Sequence, residues 1–326
     1  EARLTKALDK IETLIQHNEA GADTWLPLEY ELNLTYGDDI SNMSEYTRRL
    51  RDLVRQESER IISEKPLGDK ECGSTGSHSA LDDETFEKIK ALRRELHKIP
   101  ELSGQERRTM EVLKTFLREH TSLSVTDRGG WFYALHQENG AEETVVFRAD
   151  MDAIKGAGNI PYHGCGHDGH SAILAGLCLL TEGRVFQKNL CFLFQPAEET
   201  GEGGNPCSRL LEELGADRVY GYHNLPGYPL GTAVMRRETF SCDTVNTPEI
   251  TDMSRMLFEQ EGIPCLEAAA PFRWSEDFGW YLKKCQGMYF GIGAGEDCPD
   301  LHTPDYEFPD EVIRNAVRCL YLLAEI

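Results

Sequence analysis

The sequence predicts an α/β protein built on a mixed central sheet with helices on both faces. Continuous apolar runs such as residues 189–194, Asn-Leu-Cys-Phe-Leu-Phe, are typical of strands buried on both sides. Along residues 83–326 such runs alternate with segments of helical periodicity, which is the pattern of α/β domains. Residues that carry chemistry follow several of the predicted strands, where the loops of an open sheet converge on a ligand.

The first 64 residues predict a helical segment that precedes this domain. Apolar residues recur at spacings of three and four in two stretches, Leu4, Leu8, Ile11 and Leu14, and then Tyr46, Leu50, Leu53 and Val54. One interpretation is a helical hairpin packed on the main body. The other is a module that contacts a partner or covers a substrate. Residues 65–82 are polar, contain several Gly and Ser residues together with Pro66, and predict a linker.

The elements of residues 83–326 are predicted in order from their periodicity. Helices are expected around 86–93, 110–117, 171–180, 209–214, 253–261, 276–284 and 310–323. Strands are expected at 123–126, 131–135, 144–147, 189–194, 218–222 and 288–292.

Charge and cysteine content restrict the partners and the compartment. The 326 residues contain 34 Lys and Arg against 56 Asp and Glu, a net charge of −22 that argues against nucleic acid or an anionic membrane as the main partner. No apolar run is long enough to cross a bilayer, and the first residues show no secretory pattern. The ten cysteines are scattered, several within apolar segments, which favours reduced thiols and a cytoplasmic setting.

Two motifs suggest a metal site. Residues 163–170 read His-Gly-Cys-Gly-His-Asp-Gly-His, and residues 195–199 read Gln-Pro-Ala-Glu-Glu. A thiolate, imidazoles and carboxylates are the ligands of divalent transition metals. One carboxylate of an adjacent pair can bind metal while the other moves protons, so the combination predicts a metal-activated water and hydrolysis. Each signal is weak alone, and their joint occurrence at successive strand ends carries the prediction.

The order of motifs resembles the metal-dependent aminoacylase and hippurate hydrolase family, which includes plant hydrolases of indole-acetyl amino acids. The motifs are Arg-Ala-Asp-Met-Asp at 148–152, Cys-Gly-His-Asp-Gly-His at 165–170, Pro-Ala-Glu-Glu at 196–199, Tyr-His-Asn at 222–224, Ser-Glu-Asp-Phe at 275–278 and Leu-His-Thr-Pro-Asp-Tyr-Glu-Phe at 301–308. Residues 93–103 resemble the family's usual opening, so the likeness spans about residues 85–326. It implies a metallo-exopeptidase-like catalytic domain.

The resemblance also implies a site with two divalent ions, manganese or zinc first and cobalt or nickel as alternatives. By motif position the metal ligands are Cys165, His167, Glu199, His223 and His302. In the same way Glu198 matches the general base and Asp152 a residue that supports the ligands, while Asp150 stands where related peptidases carry a metal-binding His. His170 is interpreted as supporting or structural, and Cys165 as a ligand rather than a nucleophile.

The chain departs from the family pattern where members insert a smaller lid domain. Between Gly231 and the motif at 275–278 there are only about forty residues, too few for that domain, and the usual Gly-Gly-His motif is absent. Either the lid is lost, or segments are missing from this chain. Loss argues against oligomerisation through the usual lid surface, and it leaves the N-terminal helices as the candidate contact with a partner.

These observations predict a metal-dependent amidohydrolase that cleaves an N-acyl amino acid or a small peptide-like amide. A dipeptidase or exopeptidase on the same scaffold is the alternative among enzymes. A binding or regulatory protein without the lid and with little turnover is the alternative from another class. The substrate-binding residues are not identified by the sequence.

Overall fold

The structure is a computed structural model that describes residues 44–64 and 81–326, together with Ile11, Leu14, Ile15 and Asn18. The chain divides into two compact units, Glu1–Thr75 and Gly76–Ile326. Most of the predicted linker, and the predicted stripe positions Leu4 and Leu8, lie outside the described residues.

The first unit contains helix α1 (Glu45–Glu64), and the four described residues before it are also helical. Ile11, Leu14 and Val54 are buried against one another, as the apolar spacing predicted. Tyr46 and Leu53 are 70% and 62% exposed, so this part of the predicted stripe is not buried among the described residues.

The second unit holds the remaining elements. Its helices are α2 (Asp83–His97), α3 (Arg107–His120), α4 (His167–Thr181), α5 (Gly204–Leu214), α6 (Pro248–Gln260), α7 (Gly279–Leu282) and α8 (Val312–Glu325). Its strands are β1 (Ser124–Asp127), β2 (Phe132–His136), β3 (Thr144–Asp150), β4 (Ile154–Lys155), β5 (Pro161–Tyr162), β6 (Asn189–Gln195), β7 (Arg218–Pro226), β8 (Ala233–Met235), β9 (Thr239–Ser241), β10 (Thr244–Val245), β11 (Cys265–Glu267) and β12 (Gln286–Gly295).

Eight of these strands form one mixed sheet in the order β1-β2-β6-β3-β7-β12-β8-β11. The central strands β6, β3, β7 and β12 run parallel to one another, whereas β2 pairs with β6, and β8 with β12, in the antiparallel sense. The carboxyl ends of the four central strands therefore meet at one edge of the sheet. The prediction of a mixed sheet is confirmed.

Helices cover both faces because the central strands are apolar on both sides. In β3, Val145 and Phe147 belong to the larger core, which also receives residues of α2, α3, α4, α6 and α8. Val146, between them, points to a second core formed with residues of α5 and α7. Successive side chains of a strand alternate between its faces, so a continuous apolar run fills both cores.

Two differences from the predicted elements concern the region that follows β7. The helix expected over 276–284 is reduced to the four residues of α7, because Glu276 and Asp277 are buried by polar contacts instead of extending the helix. The three-residue strands β8 and β11 had not been predicted, being too short to show a period. Among the described helices, none combines the length and the apolar character that crossing a bilayer requires.

Candidate metal centre

The central strands bring the residues of the metal motifs to one edge of the sheet. Asp150 ends β3, and the two glutamates Glu198 and Glu199 follow the end of β6. His167 begins α4 and lies two residues beyond Cys165. His223 lies near the end of β7, and His302 lies in the loop between β12 and α8. Residues that are up to 137 positions apart in the sequence therefore approach one another.

Cys165 lies at the centre of this cluster. Its Sγ is 3.4 Å from Nε2 of His223 and 3.3 Å from Nε2 of His302. Burial raises the pKa of the Cys165 thiol well above its ordinary value. A thiolate is therefore expected here only when a cation lies beside it.

Glu199 and His167 extend the cluster on the other side. Oε1 of Glu199 is 3.3 Å from Nε2 of His302 and 3.8 Å from Nε2 of His167. Candidate ligand atoms of Cys165, His167 and His223 lie within 4.8 Å of one another, and so do those of Cys165, Glu199 and His302. Ligands on bonds of about 2.1 Å around a tetrahedral ion are about 3.4 Å apart, so these spacings suit a metal.

Two buried atoms of the cluster have no hydrogen-bond partner within the described part of the chain. They are Nε2 of His167 and Oε1 of Glu199. Buried polar atoms are nearly always paired, so two unpaired ones facing each other call for a ligand that the protein itself does not supply. The donor set of sulfur, imidazole nitrogen and carboxylate oxygen fits a divalent transition metal.

The tautomers of two histidines are set by their second nitrogen. Nδ1 of His167 lies 3.0 Å from Oδ1 of Asp152, and Nδ1 of His223 lies 2.7 Å from the carbonyl oxygen of Asn224. Because both oxygens only accept, each Nδ1 carries a proton, and Nε2 is the nitrogen of each ring that can bind a metal. This is the arrangement of metal-ligating histidines.

Asp152 is buried beneath the cluster, where its carboxylate accepts hydrogen bonds from several groups of the site. Its Oδ2 accepts hydrogen bonds from Ser103 Oγ at 2.7 Å and from the Glu199 amide at 3.0 Å. Burial alone would raise the pKa of Asp152, but the hydrogen bond from His167 and the other donors hold it below its ordinary value. The carboxylate therefore stays charged and fixes two of the predicted ligands.

Glu198 lies beside His167, with Oε2 3.9 Å from Nε2 of that ring. Burial, and then the nearby Glu276, raise the pKa of the Glu198 carboxyl well above its ordinary value. A carboxyl whose pKa is raised accepts a proton more readily than an exposed carboxyl does. A general base requires this property.

Asp150 and His170 pair with each other beside the cluster. Nδ1 of His170 is 2.6 Å from Oδ1 of Asp150, and its Nε2 is 2.6 Å from Oδ1 of Asn224. Both ring nitrogens of His170 are therefore engaged by protein atoms. This geometry agrees with the interpretation of His170 as a supporting residue.

A buried polar network that the sequence analysis missed lies behind the site. Arg148 donates to Asp150 at 2.7 Å, to Gln195 at 2.8 Å and to Asp277 at 2.7 Å. The signal was present in the sequence, since Arg148 interrupts an otherwise apolar strand and must be paired where it is buried. Its partner Asp277 is 129 residues away and could not be inferred from spacing.

Two residues in the turns of the site adopt positive φ without being glycine. Ala197, before the two glutamates, has φ 53°, and His302 has φ 64°. The amide of Ala197 donates to Oε1 of Glu106 at 2.8 Å, and the amide of His302 donates to the carbonyl of Gly164 at 2.8 Å. Such conformations cost about 1–3 kcal/mol each and cluster at functional sites.

Comparison with known proteins finds related sequences. A model of peptidase family M20/M25/M40 matches residues 146–326. The chain is 32% identical over 169 residues to N-acetyldiaminopimelate deacetylase from Priestia megaterium (strain ATCC 12872 / QMB1551), covering 47% of this chain and 44% of the relative. It is 35% identical over 160 residues to the protein of the same name from Exiguobacterium sibiricum, covering 44% and 43%. The chain thus spans less than half the length of these two curated relatives.

Solved structures share the fold. The Bacillus subtilis YxeP protein, described as a dinuclear metal-binding peptidase from the M20 family, matches with a TM-score of 0.68 and 18% identity, over 74% of this chain and 98% of that chain. The Legionella pneumophila LapA aminopeptidase matches with a TM-score of 0.57 and 15% identity, over 88% and 90%. At these identities the likeness concerns the fold.

Proposed function

Because the chain belongs to peptidase family M20/M25/M40, we propose that it is a metal-dependent amidohydrolase that cleaves the amide bond of an N-acyl amino acid or a small peptide-like substrate. One observation carries the proposal. Five donor side chains converge beside a buried glutamate, with neighbouring atoms 3.3–3.8 Å apart. The similarity to N-acetyldiaminopimelate deacetylases supports the choice of an N-acyl amino acid.

In this proposal Cys165, His167, Glu199, His223 and His302 hold two divalent ions, manganese or zinc first, with cobalt or nickel as alternatives. The unpaired Nε2 of His167 and Oε1 of Glu199 support these assignments. Bound there, such ions lower the pKa of a water and polarise an amide carbonyl.

Glu198 then acts as the base. Its Oε2 lies 3.9 Å from Nε2 of His167, which places the carboxyl beside the proposed ions, where it takes a proton from the attacking water. The same carboxyl returns that proton to the nitrogen of the leaving amine, which becomes the free amine as the carbon–nitrogen bond breaks. Asp152 supports this chemistry by holding Nδ1 of His167 protonated, so that Nε2 faces the site as a ligand.

We further propose that residues 83–326 are the hydrolase domain without the inserted lid, that residues 65–82 are a linker, and that residues 1–64 are a helical segment that precedes it. The forty or so residues between Gly231 and the Ser-Glu-Asp-Phe motif support this division, since they form only short strands and α6.

The experiment uses the full chain reconstituted with Mn²⁺ or Zn²⁺ and a panel of N-acetyl amino acids and dipeptides. Glu198→Gln should lower kcat by a factor of about 10²–10⁴ while metal content, measured by elemental analysis, stays at the wild-type level. Glu202→Gln, four residues away and exposed, is the matched control. Equal kcat in Glu198→Gln and the wild type would refute the base. Turnover of dipeptides alone would favour the exopeptidase.

A further inference from the structure

A cavity of about 300 Å³ opens directly beside Glu198 and Glu199. Its other walls are the start of the loop that follows Glu199, Asp243 between β9 and β10, and residues of the segment 275–283. The volume is at the lower end of the range of small-molecule sites. A substrate whose amide reached Glu198 would extend into this cavity.

Two carboxylates in the floor of the cavity are already engaged by the protein. Asp277 accepts from Arg148, from Gln195 and from the amide of Gly204, the last at 2.6 Å. Glu276 accepts from the hydroxyl of Tyr289 and, at 3.0 Å, from the amide of Phe278. Both carboxylates therefore already have hydrogen-bond donors within the protein.

Lys283, by contrast, can pair with an anionic ligand. It is the only cation among the residues that line the cavity, all of which belong to the described part of the chain. Its Nζ lies 4.6 Å from the centre of the Trp280 ring, and it makes no ion pair within residues 81–326. The adjacent Lys284 is different, because it pairs with Glu212 at 2.9 Å.

We propose that Lys283, whose ammonium lies over the Trp280 ring, binds a free carboxylate of the substrate in this cavity. The inference rests on the proposed amide hydrolysis and adds the residue that selects the substrate. The indole places the ammonium by a cation–π contact. A carboxylate of the substrate then pairs with this ammonium through a charge-assisted hydrogen bond. Elsewhere in the cavity the charged side chains are acidic, so the carboxylate has one place to bind.

The test compares N-acetyl-L-leucine with N-acetyl-L-leucinamide, which lacks the negative charge, and measures acetate release by the Mn²⁺-reconstituted full chain. Lys283→Gln should raise KM for the acid about tenfold, which corresponds to about 1.4 kcal/mol, with little change in kcat. KM for the amide should not change. Lys283→Arg should restore most of the affinity, and Lys284→Gln should behave as the wild type.

Calorimetric binding of L-leucine and L-leucinamide gives a readout that does not require turnover. Lys283-dependent binding of L-leucine without acetate release would overturn the proposed hydrolysis and support the carboxylate site. Normal acetate release with no response of KM or binding to Lys283→Gln would overturn the carboxylate site alone. Preference of the wild type for the amide would also overturn it. Neither release nor binding would overturn both.

Discussion

Asp152→Asn is a sharp test of how the fold prepares its predicted ligands. The wild-type carboxylate accepts from Nδ1 of His167, from Ser103 and from the amide of Glu199. An amide of the same shape has only one acceptor oxygen. If its NH₂ group faces Glu199, two donors oppose each other. If it faces His167, Nδ1 must accept, the proton moves to Nε2, and the lone pair directed at the cluster is lost.

The expected loss follows from these two arrangements. Substitution of a residue that supports a metal ligand in this way lowers metal affinity by a factor of about 10–100, which corresponds to about 1.4–2.7 kcal/mol. The assay is calorimetric titration of metal-free wild type and variant with Mn²⁺ at constant pH. Ser103→Ala is the matched control, because it removes one donor from the same carboxylate and leaves the His167 tautomer unchanged. We expect it to lose less than about threefold in affinity.

Equal Mn²⁺ affinity of wild type and Asp152→Asn, in a variant whose circular dichroism shows that it is folded, would refute the tautomer argument. Equal losses in Asp152→Asn and Ser103→Ala would refute it too, because a general loosening of the loop would then explain both.

Two further predictions concern stability. Arg148→Met should lower the free energy of unfolding in urea by about 3–5 kcal/mol, because it leaves buried carboxylates without their cation. Arg237→Met is the control: its pair with Asp252 is exposed, so it should lower the free energy of unfolding by less than about 1 kcal/mol. Equal effects of the two substitutions would contradict the reasoning. Burial alone would raise the pKa of Asp168, but nearby His163 and the hydrogen bond from His97 lower it to about 2. The resulting stability is present above the ordinary pKa of 3.8 and is lost as the pH falls through about 2, so the stability advantage of wild type over Asp168→Asn should shrink by about 2 kcal/mol between pH 4.5 and 2. A constant advantage across that range would contradict it.

The sequence was sufficient for the parts of the molecule that local pattern determines. The runs at 144–147, 189–194 and 218–222 all became central strands, because an apolar run buried on both sides has few other structures available. Cys165, His167, Glu199, His223 and His302 could be named in advance because each belongs to a short motif of the family that the sequence resembles. That they bind metal stays a prediction.

The rest depends on contacts between distant residues. The bond from Arg148 to Asp277 spans 129 positions, and the hydrogen bond from Ser103 to Asp152 spans 49. The spacing of apolar residues along the sequence carries no information about such pairs. The same holds for the cavity beside Glu198, because its lining combines residues from distant parts of the chain, such as Thr200, Asp243 and Trp280.

The buried network at the sheet edge has a consequence for handling the protein. Asp150, Asp152 and Asp277 are buried there with Arg148, so acid exceeds base in that part of the interior. Electroneutrality then favours the uptake of a cation on folding. By mass action the melting temperature should climb with the logarithm of free divalent metal, and a chelator should lower it. Thermal denaturation curves of this chain therefore have a meaning only when the metal concentration of the buffer is stated.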